Sequence, residues 1–467
     1  MNRMLISAAH KSSGKTMVSI GLCTALRKRG HQVQPFKKGP DYIDPMWLSL
    51  ASGHACRNLD LYLMERDDIV STFEQHSAEI NLVEGNKGLY DGLALDGSNS
   101  NAALATLLDL PVFLVIDARG MTRGIAPLIL GYQAFDRDIN IAGVILNNLG
   151  GSRHEAKLRA VIEHYTDVPV IGAIHHDERL SIVERHLGLM PSNESEAASA
   201  MVKQIGDVIE TAVDLDRLLA LSSREPLVAP HKAEVRALPC GDKVTIGVAR
   251  DRAFAFYYAD DLDALVAAGA EIIPFDSLSD SQLPDVDALY IGGGFPEVFA
   301  AKLEKNVTLR NQIKQAIATG MPVYAECGGL MYLSRSIVYQ GRSYQMVGAI
   351  PGDVQMHDKP IGRGYVHLAE NATHPWPRRG APDRQIRAHE FHYSSLENLP
   401  KDSQFAYHVT RGHGINGHQD GLILNNLLAS YTHLRTIGSC YWAERFVAFI
   451  QRIKTEKASV PMHAVLD

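Results

Sequence analysis

The sequence predicts an α/β protein with two doubly wound domains. In the first half of the chain, short apolar runs bounded by Gly, Pro or Asp alternate with longer segments of helical periodicity, and a second series of this kind begins at Val244. Such alternation is typical of parallel sheets covered by helices on both faces. Between the two series, residues 222–242 contain three prolines and no periodic pattern, which indicates a linker.

The first series contains six predicted strands, with at least two helices between them. An apolar stripe of helical spacing covers residues 17–29, and Gly30 stands where a helix commonly ends. A second helical pattern covers residues 154–164. The predicted strands are residues 4–8, 33–37, 81–84, 112–117, 142–146 and 170–174.

The second series begins with strands and then becomes richer in them. After about residue 335, apolar and polar residues alternate in segments such as GYVHL and GLILNN, so that further strands are expected there. We therefore expect domains at 1–221 and 243–455, a linker at 222–242 and a C-terminal tail at 456–467. The first predicted strands are residues 244–249, 288–291 and 323–326, and the predicted helices between them are residues 259–268 and 298–318.

Composition restricts the classes of protein to which the chain can belong. Its 467 residues carry a net charge of −7 and no Lys- and Arg-rich run, which argues against nucleic-acid binding. No run of about 18 apolar residues is present to span a membrane, and the N-terminus leaves no room for a signal peptide. The five cysteines are scattered without Cys-x-x-Cys spacing, so that neither a zinc site nor a disulfide framework is expected. A cytoplasmic protein is expected.

Cys327 stands at a predicted sharp turn between a strand and a helix. The segment PVYAECGGLMYL, residues 322–333, passes from an apolar run through the cysteine and two glycines into a helical pattern. A thiol there is exposed above the sheet edge at a helix N-terminus, which favours the thiolate and offers backbone N–H groups to an oxyanion. A buried structural cysteine is the alternative, but it would need neither Gly328 nor Gly329.

A nucleophilic thiolate also needs a base and an oxyanion site. Residues 292–294 are three glycines in the segment IGGGFPE, after an apolar strand, where the backbone can approach a reacting carbonyl. A flexible loop is the alternative interpretation of these glycines. Among 20 histidines, His389, His392 and His433 are the candidate bases.

A predicted phosphate loop follows the first strand and opens the first helix. Backbone N–H groups of such a loop cradle phosphates, its lysine reaches the outer phosphates and its hydroxyl binds Mg²⁺. The full pattern has a glycine where Ala9 stands, and a chance Gly-Lys-Thr is the alternative. The loop residues are Ser13, Gly14, Lys15 and Thr16.

Acidic residues near the ends of the first strands are candidate ligands. Asp41 and Asp44 lie three residues apart in KKGPDYIDP, where they can hold a metal or orient a basic group; solvated turn residues are the alternative. Glu84 ends an apolar run and precedes several glycines, the usual position of an acid that meets the Mg²⁺ of a nucleotide. Asp60 and Asp91 are equally consistent with turns.

These motifs together resemble those of the cobyrinate a,c-diamide synthase family, glutamine-dependent amidoligases of corrinoid (cobalamin) biosynthesis. The resemblance covers nearly the whole chain and implies an N-terminal ATP domain similar to dethiobiotin synthetase and a C-terminal class I glutamine-amidotransferase-like domain. The segments that carry it, in order, are SSGKT, KKGPDYIDP, NLDLY, VEGNKGLYDG, PVFLVIDARGMTRG, GVILNN, ERHLGLMPSNE, GGGFPE, AECGGLMYL, HEFHYS and ASYTH.

The resemblance implies a role for each candidate residue. Cys327 would be the glutaminase nucleophile and His433 its base, with Gly294 and Gly328 as oxyanion donors. The co-substrates would be ATP, glutamine and a corrinoid, with Mg²⁺ as cofactor. The other implied contacts are Ser13, Gly14, Lys15 and Thr16 for ATP, Thr16, Asp44 and Glu84 for Mg²⁺, and Asp41, Tyr42, Asp60 and Asp91 for the substrate.

The chain departs from the expected family pattern at several positions. Many class I amidotransferases have a glutamate two residues after the catalytic histidine, but Arg435 stands there. The third partner of His433 therefore stays open between a Cys–His dyad and an acceptor from elsewhere. Lys38 and the pair Asn86 and Lys87 occupy positions where apolar residues are expected, and we expect the added cations to influence the choice of substrate.

The implied chemistry leaves alternatives open. ATP would convert a carboxylate to an acyl phosphate, and ammonia from glutamine would reach it by a protected route. The same reaction on hydrogenobyrinate or nickel-sirohydrochlorin is one alternative, and a regulatory P-loop ATPase with a vestigial amidotransferase domain is another. The number of chains in the assembly also stays open, with a homodimer as one option.

Overall fold

The computed structural model describes residues 1–180, 184–185, 188–194, 197–227, 243–378 and 385–459. The chain divides into two compact units, Met1–Ala233 and Glu234–Asp467. Most of the predicted linker (228–242), two residues of the ERHLGLMPSNE segment (186–187), most of the predicted tail (460–467) and Cys240 lie outside the described residues. The domain boundaries proposed from the sequence therefore stay predictions.

The first unit is built on a seven-stranded sheet in which every pairing is parallel. The spatial order of the strands is β3-β2-β4-β1-β5-β6-β7. In this order β1 lies between β4 and β5, and β2 lies between β3 and β4. A separate antiparallel pair joins β8 and β9. The strands are β1 (Asn2–Ala8), β2 (Val33–Lys38), β3 (Arg57–Leu59), β4 (Ile80–Glu84), β5 (Val112–Asp117), β6 (Ile141–Leu149), β7 (Val170–His175), β8 (Glu184–Arg185) and β9 (Gly188–Leu189).

Helices connect these strands, as the alternating pattern predicts. Gly30 follows the first helix with φ +92°, the left-handed conformation of a helix end. The strand register places Glu84 opposite both Ile6 and Lys37, so that three strand ends meet at one edge of the sheet. The helices are α1 (Lys15–Lys28), α2 (Ile43–Ser52), α3 (Arg66–His76), α4 (Asn101–Leu107), α5 (Ile125–Phe135), α6 (Ser152–Tyr165), α7 (Ala198–Ala212) and α8 (Leu215–Ser222).

The second unit contains a nine-stranded mixed sheet of order β12-β10-β13-β15-β24-β23-β22-β19-β20. The first five strands of this order are parallel and the remaining ones pair antiparallel. A four-stranded sheet has the order β17-β16-β18-β21, and β11 pairs with β14. The strands are β10 (Val244–Ala249), β11 (Phe254–Phe256), β12 (Ala270–Phe275), β13 (Ala288–Ile291), β14 (Gly293–Gly294), β15 (Val323–Glu326), β16 (Ser336–Tyr339), β17 (Arg342–Gln345), β18 (Asp353–Met356), β19 (Gly362–Glu370), β20 (Ile386–His392), β21 (Ser394–Glu397), β22 (Gln404–Arg411), β23 (Gln419–Leu424) and β24 (Leu427–Ser430).

Both faces of the parallel part of this sheet are buried. Along β15, Val323 and Ala325 belong to one apolar cluster, whereas Tyr324 belongs to the cluster that contains Trp442. Burial on both faces explains why these strands are continuous apolar runs in the sequence. The helices of the unit are α9 (Ala259–Ala267), α10 (Ala300–Lys305), α11 (Val307–Ala318), α12 (Gly328–Leu333) and α13 (Trp442–Ser459).

The structure confirms the α/β class and the predicted strands, with one correction. The single helix expected at 298–318 is two helices, α10 and α11, separated at Asn306. The Asn306 side chain donates hydrogen bonds to the carbonyls of Ser277 (3.0 Å) and Asp280 (2.8 Å), which fixes the chain in a turn there. Within the described ranges, no helix combines the length and the apolar character needed to cross a membrane.

Candidate active sites

Cys327 lies in the turn between β15 and α12, as the sequence predicts. Its backbone has φ +46° and ψ −100°, a conformation that is rare for a residue other than glycine and that recurs at functional turns. The Cys327 amide donates to the Ser430 carbonyl at 2.7 Å, so that β24 holds the turn in place. The residue is only 7% exposed, which corrects the expectation of a thiol exposed above the sheet edge: the thiol lies in a buried turn.

The glycines around Cys327 are required by close backbone contacts. A Cβ on Gly329 would lie 2.0 Å from the Ile291 carbonyl oxygen, and a Cβ on Gly328 would lie 3.0 Å from the Gly294 amide nitrogen. Gly294 itself has φ +158°, and a Cβ there would lie 1.9 Å from the Ala253 carbonyl oxygen. The bare backbones of Gly328 and Gly294 therefore meet beside the thiol, where N–H groups can receive an oxyanion.

His433 lies beside Cys327 and is hydrogen-bonded to it. The parallel neighbours β13, β15 and β24 all end at this edge of the sheet, and the chain reaches His433 three residues after β24 ends at Ser430. The Glu326 Oε2 atom lies 3.4 Å from His433 Nδ1. Glu326 and His433 are 1% and 3% exposed, respectively, so that water screens this charge pair very little.

The pKa of His433 reflects these contacts. Burial is the largest single influence and by itself would lower the pKa, but the contacts with Cys327 and Glu326 outweigh it and raise the pKa to about 10. At neutral pH the imidazole is therefore protonated. An imidazolium beside a thiol is able to give its proton to a group that leaves from a carbon bonded to the sulfur.

The other two candidate bases occupy different positions. The His389 ring stacks on His433 with centroids 5.0 Å apart and planes at 16°, and the two residues exchange backbone hydrogen bonds of 2.8 and 3.3 Å. Burial, followed by the charges of His433 and Arg435, holds the pKa of His389 well below its ordinary value. His392 instead stacks on Tyr431 with centroids 3.9 Å apart. Of the three candidates, His433 is the one paired with Cys327.

In the first unit, the predicted phosphate loop lies between β1 and α1. Gly14 has φ +90° and precedes the first helical residue, Lys15. The Asn147 side chain at the end of β6 donates to the Ser13 carbonyl at 3.0 Å, and a Cβ on Gly14 would lie 2.1 Å from its Nδ2 atom. The Asn147 side chain therefore holds the loop against β6. The N–H groups of the loop lie at the start of a helix, where anions bind.

A cluster of charged side chains faces this loop from β2, α2 and β4. The Thr16 hydroxyl donates to Glu84 Oε1 at 2.6 Å and lies 3.4 Å from Asp44 Oδ2. Lys37, which the sequence analysis did not select, lies in the cluster with Nζ 2.5 Å from Asp44 Oδ2, 3.1 Å from Glu84 Oε1 and 3.9 Å from Asp41 Oδ2. The cluster follows from the register, which pairs Lys37 with Glu84.

Burial and mutual repulsion shift the pKa values of this cluster. Burial favours the neutral form of Lys37, but Asp44, Glu84 and Asp41 outweigh it and raise the pKa of Lys37. Burial and the charge of Lys37 lower the pKa of Lys15. Burial, and then repulsion from Asp44, raise the pKa of Asp41 to about 7, whereas Lys37 overcomes burial and lowers the pKa of Asp44.

The donor set suits Mg²⁺. Glu84 is fully buried, and its Oε2 atom has no hydrogen-bond partner among the described residues. With the Thr16 hydroxyl and Asp44 it offers hard oxygen ligands. No group of three or more His, Cys, Asp or Glu side chains in the described part of the chain is placed to hold a metal. Mg²⁺ is usually bound by one or two carboxylates and completes its coordination with phosphate oxygens and water, which these residues fit.

The residues predicted to bind the substrate are held in local turns. Asp41 Oδ1 accepts the amides of Ile43 (2.9 Å) and Asp44 (3.1 Å), which starts α2. The two other carboxylates also accept local amides: Asp60 Oδ1 accepts those of Tyr62 (2.7 Å) and Leu63 (3.2 Å), and Asp91 Oδ2 accepts that of Gly88 (2.9 Å). Tyr42 is 9% exposed. These contacts give each carboxylate a structural task, and their roles toward a substrate stay predictions.

Sequence reasoning missed Glu326 and Lys37, both charged residues at the ends of buried strands. Their signal was a charge inside an apolar segment, VYAEC for Glu326 and QPFKK for Lys37. Lys38, expected to influence the substrate choice, is also buried, and its Nζ donates to the Asn99 carbonyl at 2.5 Å. Burial lowers the pKa of Lys38.

Comparison with known proteins covers both units. Residues 5–189 match the family model described as a CobQ/CobB/MinD/ParA nucleotide binding domain. Residues 245–439 match the model described as a CobB/CobQ-like glutamine amidotransferase domain. The two models thus cover the two units separately, in the order that the motifs predict.

Curated relatives match along nearly the whole chain, and each is named cobyrinate a,c-diamide synthase. The relative from Magnetococcus marinus is 45% identical over 98% of this chain and 98% of its own length. The relative from Methanosarcina acetivorans is 43% identical over 93% and 92%, and the one from Archaeoglobus fulgidus is 40% identical over 95% and 96%. Identity of this extent, with both sites in place, shows that the chain belongs to the cobyrinate a,c-diamide synthase family.

Proposed function

We propose that the chain uses ATP and glutamine to amidate the a and c carboxylates of cobyrinate, which gives cobyrinate a,c-diamide. The observation that carries this proposal is that one chain contains both a hydrogen-bonded Cys327–His433 pair at a glycine turn and a phosphate loop faced by carboxylates. The first site suits the release of ammonia from an amide, and the second suits the activation of a carboxylate. Relatives with the corresponding name match along nearly the whole chain.

The glutaminase half of the reaction takes place at Cys327. Its thiolate attacks the side-chain amide carbon of glutamine, and the oxyanion that forms receives N–H groups from Gly294 and Gly328. His433 gives its proton to the leaving nitrogen, so that ammonia departs and a thioester remains. Water, deprotonated by His433, then attacks the thioester, which releases glutamate and restores the thiol.

The ligase half takes place at the phosphate loop. A carboxylate oxygen of the substrate attacks the γ-phosphorus of ATP, which gives an acyl phosphate and ADP. Lys15 and the loop amides of Ser13, Gly14 and Thr16 bind the phosphate oxygens and stabilise the charge that shifts between them. Ammonia then attacks the acyl carbon, and phosphate leaves as the amide forms.

Three side chains of this site would hold Mg²⁺, namely Thr16, Asp44 and Glu84. The ion would neutralise charge on the phosphate oxygens. Asp41, Tyr42, Asp60 and Asp91 are proposed to bind the tetrapyrrole substrate, since they lie in the loops that follow β2, β3 and β4 at the same edge of the sheet. A ring carrying carboxylates also suits the cations nearby, including Lys87, which is exposed.

Mass spectrometry of candidate tetrapyrroles tests the proposal. Cobyrinate, hydrogenobyrinate and nickel-sirohydrochlorin are incubated separately with the protein, ATP, Mg²⁺ and glutamine. We expect cobyrinate to show two successive conversions of a carboxylate to an amide, dependent on both ATP and glutamine. Conversion of another ring alone would reassign the substrate, and ATP hydrolysis without amidation of any of the three would contradict the proposal in favour of a regulatory ATPase.

A further inference from the structure

We propose that Glu326 is a positioning residue of the glutaminase site, which holds the ring of His433 toward Cys327. This inference rests on the proposed function of the Cys327 site and adds the third partner that the sequence leaves open. Glu326 immediately precedes the nucleophile, whereas the glutamate expected from class I amidotransferases would follow the histidine by two residues. The carboxylate thus reaches the imidazole from the strand that carries the nucleophile.

The position expected for that glutamate is occupied by a buried cation with its own partner. Arg435 Nη2 lies 2.7 Å from Asp260 Oδ2, and both side chains are almost fully buried. The Arg435 guanidinium also covers the Tyr258 ring at 4.8 Å from its centroid. Because this cation is paired with Asp260 on α9, Arg435 supplies no acceptor to His433, and an acceptor for the imidazole can come only from another element.

Glu326 meets that need through hydrogen bonds that fix both of its oxygens. Oε1 accepts the Leu434 amide at 3.0 Å and the Tyr324 hydroxyl at 2.5 Å, and Oε2 accepts the Tyr290 hydroxyl at 3.2 Å. Oε2 then lies 3.4 Å from His433 Nδ1. The carboxylate therefore holds the chain just after His433 as well as its ring.

The turn at Cys327 explains how two neighbouring residues reach one imidazole. In a regular strand, successive side chains point to opposite faces of the sheet. Here β15 ends at Glu326, and Cys327 has φ +46°, so that the alternation is broken between them. Both side chains contact His433, one through its thiol and one through its carboxylate.

The two stacked histidines show what the carboxylate contributes. His389 and His433 are both buried, yet the pKa of His389 is held well below its ordinary value by burial and by the neighbouring cations, whereas that of His433 is raised. The Tyr258 hydroxyl lies 3.4 Å from the Nδ1 atom of His389. The contacts of His433 with Cys327 and Glu326 are what raise its pKa.

The test is the pH profile of glutamine hydrolysis for Glu326→Gln. This variant keeps the size of the side chain and removes its charge. We expect kcat/KM for glutamine at neutral pH to fall on the order of 10²-fold. We expect the alkaline limb of the profile to move down by about 1–3 pH units, because a carboxylate close to a histidine raises its pKa by such an amount. Glu326→Asp, which restores the charge, should return the limb toward its original position.

Asp420→Asn is the matched control. Asp420 is fully buried, and it accepts the amides of Tyr431 (3.1 Å) and Thr432 (2.9 Å), just before His433. A carboxylate that only supports this segment should, when removed, leave the alkaline limb unchanged. An unmoved limb in Glu326→Gln, or an equal movement in Asp420→Asn, would overturn the role assigned to Glu326.

A second readout separates this inference from the proposed function. Glu326→Gln should still amidate the tetrapyrrole when ammonium salt replaces glutamine, which also shows that the variant is folded. Because the pH profile concerns glutamine hydrolysis alone, it decides the role of Glu326 even if the unsubstituted protein amidates none of the tetrapyrroles. That result would contradict only the proposed function.

Discussion

The two candidate sites treat buried charge in different ways. At the Cys327 site, the imidazole of His433 is protonated because Glu326 and the thiol are its partners, so that the proposed nucleophile and base are arranged before a ligand binds. At the phosphate loop, Lys37 lies among the carboxylates, and burial together with the charge of Lys37 lowers the pKa of Lys15. In the second unit, a charged pair thus holds the groups proposed for covalent chemistry in place. In the first unit, the charges of the side chains balance one another until a nucleotide binds.

Removal of the nucleophile should separate the two sites most completely. In Cys327→Ala we expect glutamine-dependent amidation to fall on the order of 10⁴-fold or more. Amidation supported by high ammonium salt should persist, because the cysteine is needed only to release ammonia. The measurement is amide formation with each nitrogen source, and Cys440→Ala, another buried cysteine of the same unit, serves as the control that keeps both. Loss of both activities in Cys327→Ala would contradict the independence of the two chemistries.

Lys15→Ala should give the opposite separation. We expect amidation from glutamine and from ammonium to fall together, by about 10²–10³-fold, because charge on the phosphate oxygens loses a preorganised partner. Glutamine hydrolysis should continue. The matched control is Lys28→Ala on the same helix, whose ammonium group pairs with Asp207 (3.0 Å) and Glu210 (2.7 Å) at the surface. An unchanged amidation rate in Lys15→Ala would contradict the phosphate-loop assignment.

Much of the fold could be predicted because buried strands leave a clear pattern. The strands at 112–117, 244–249, 288–291 and 323–326 were predicted with the bounds that the structure gives, since burial on both faces makes them continuous apolar runs. The short strand Arg57–Leu59 was missed because three residues, one of them charged, carry no such pattern. The break at Asn306 depends on side-chain hydrogen bonds to a distant loop, which helical periodicity does not report.

The candidate sites could be predicted only in part, for a related reason. Residues in recognisable motifs, such as Cys327 and Lys15, were selected because their local sequence defines a turn. Lys37 and Glu326 act through partners supplied by other strands. Lys37 meets Glu84 because β2 lies next to β4, and Glu326 meets His433, three residues after the end of β24. Strand order and register decide which residues form these pairs, and neither can be predicted from the local sequence.

Lys37→Gln tests whether this lysine is the internal counter-ion of the phosphate site. Removal of one partner from a buried ion pair costs about 3–5 kcal/mol. We therefore expect a clear fall in the Tm at which the first unit unfolds, measured without Mg²⁺ and nucleotide. Added Mg²⁺ should restore part of the loss, because it returns positive charge to Asp44 and Glu84. Lys28→Gln, which removes an exposed lysine with two carboxylate partners, should change the Tm little. Equal shifts in both variants would contradict this role of Lys37.

Of these substitutions, Asp41→Asn should have the smallest effect. It should change how the free energy of unfolding depends on pH. Because the pKa of Asp41 is raised from 3.8 to about 7, the folded protein keeps a proton there that the unfolded chain releases. The free energy of unfolding should therefore fall as pH rises from about 4 to about 7. The asparagine cannot titrate, but its Oδ1 can still accept the amides of Ile43 and Asp44, so that the variant should lose this part of the decline.

The measurement is Tm against pH, without Mg²⁺, for the protein and for Asp41→Asn. The difference should be modest, because the Asp41 side chain is 35% exposed and water weakens its interaction with Asp44. Parallel curves would contradict the assigned titration. A flatter curve for the variant would show that the net charge of the phosphate site changes near neutral pH. The net charge of the Cys327 site would stay constant there, because the pKa of His433 is about 10.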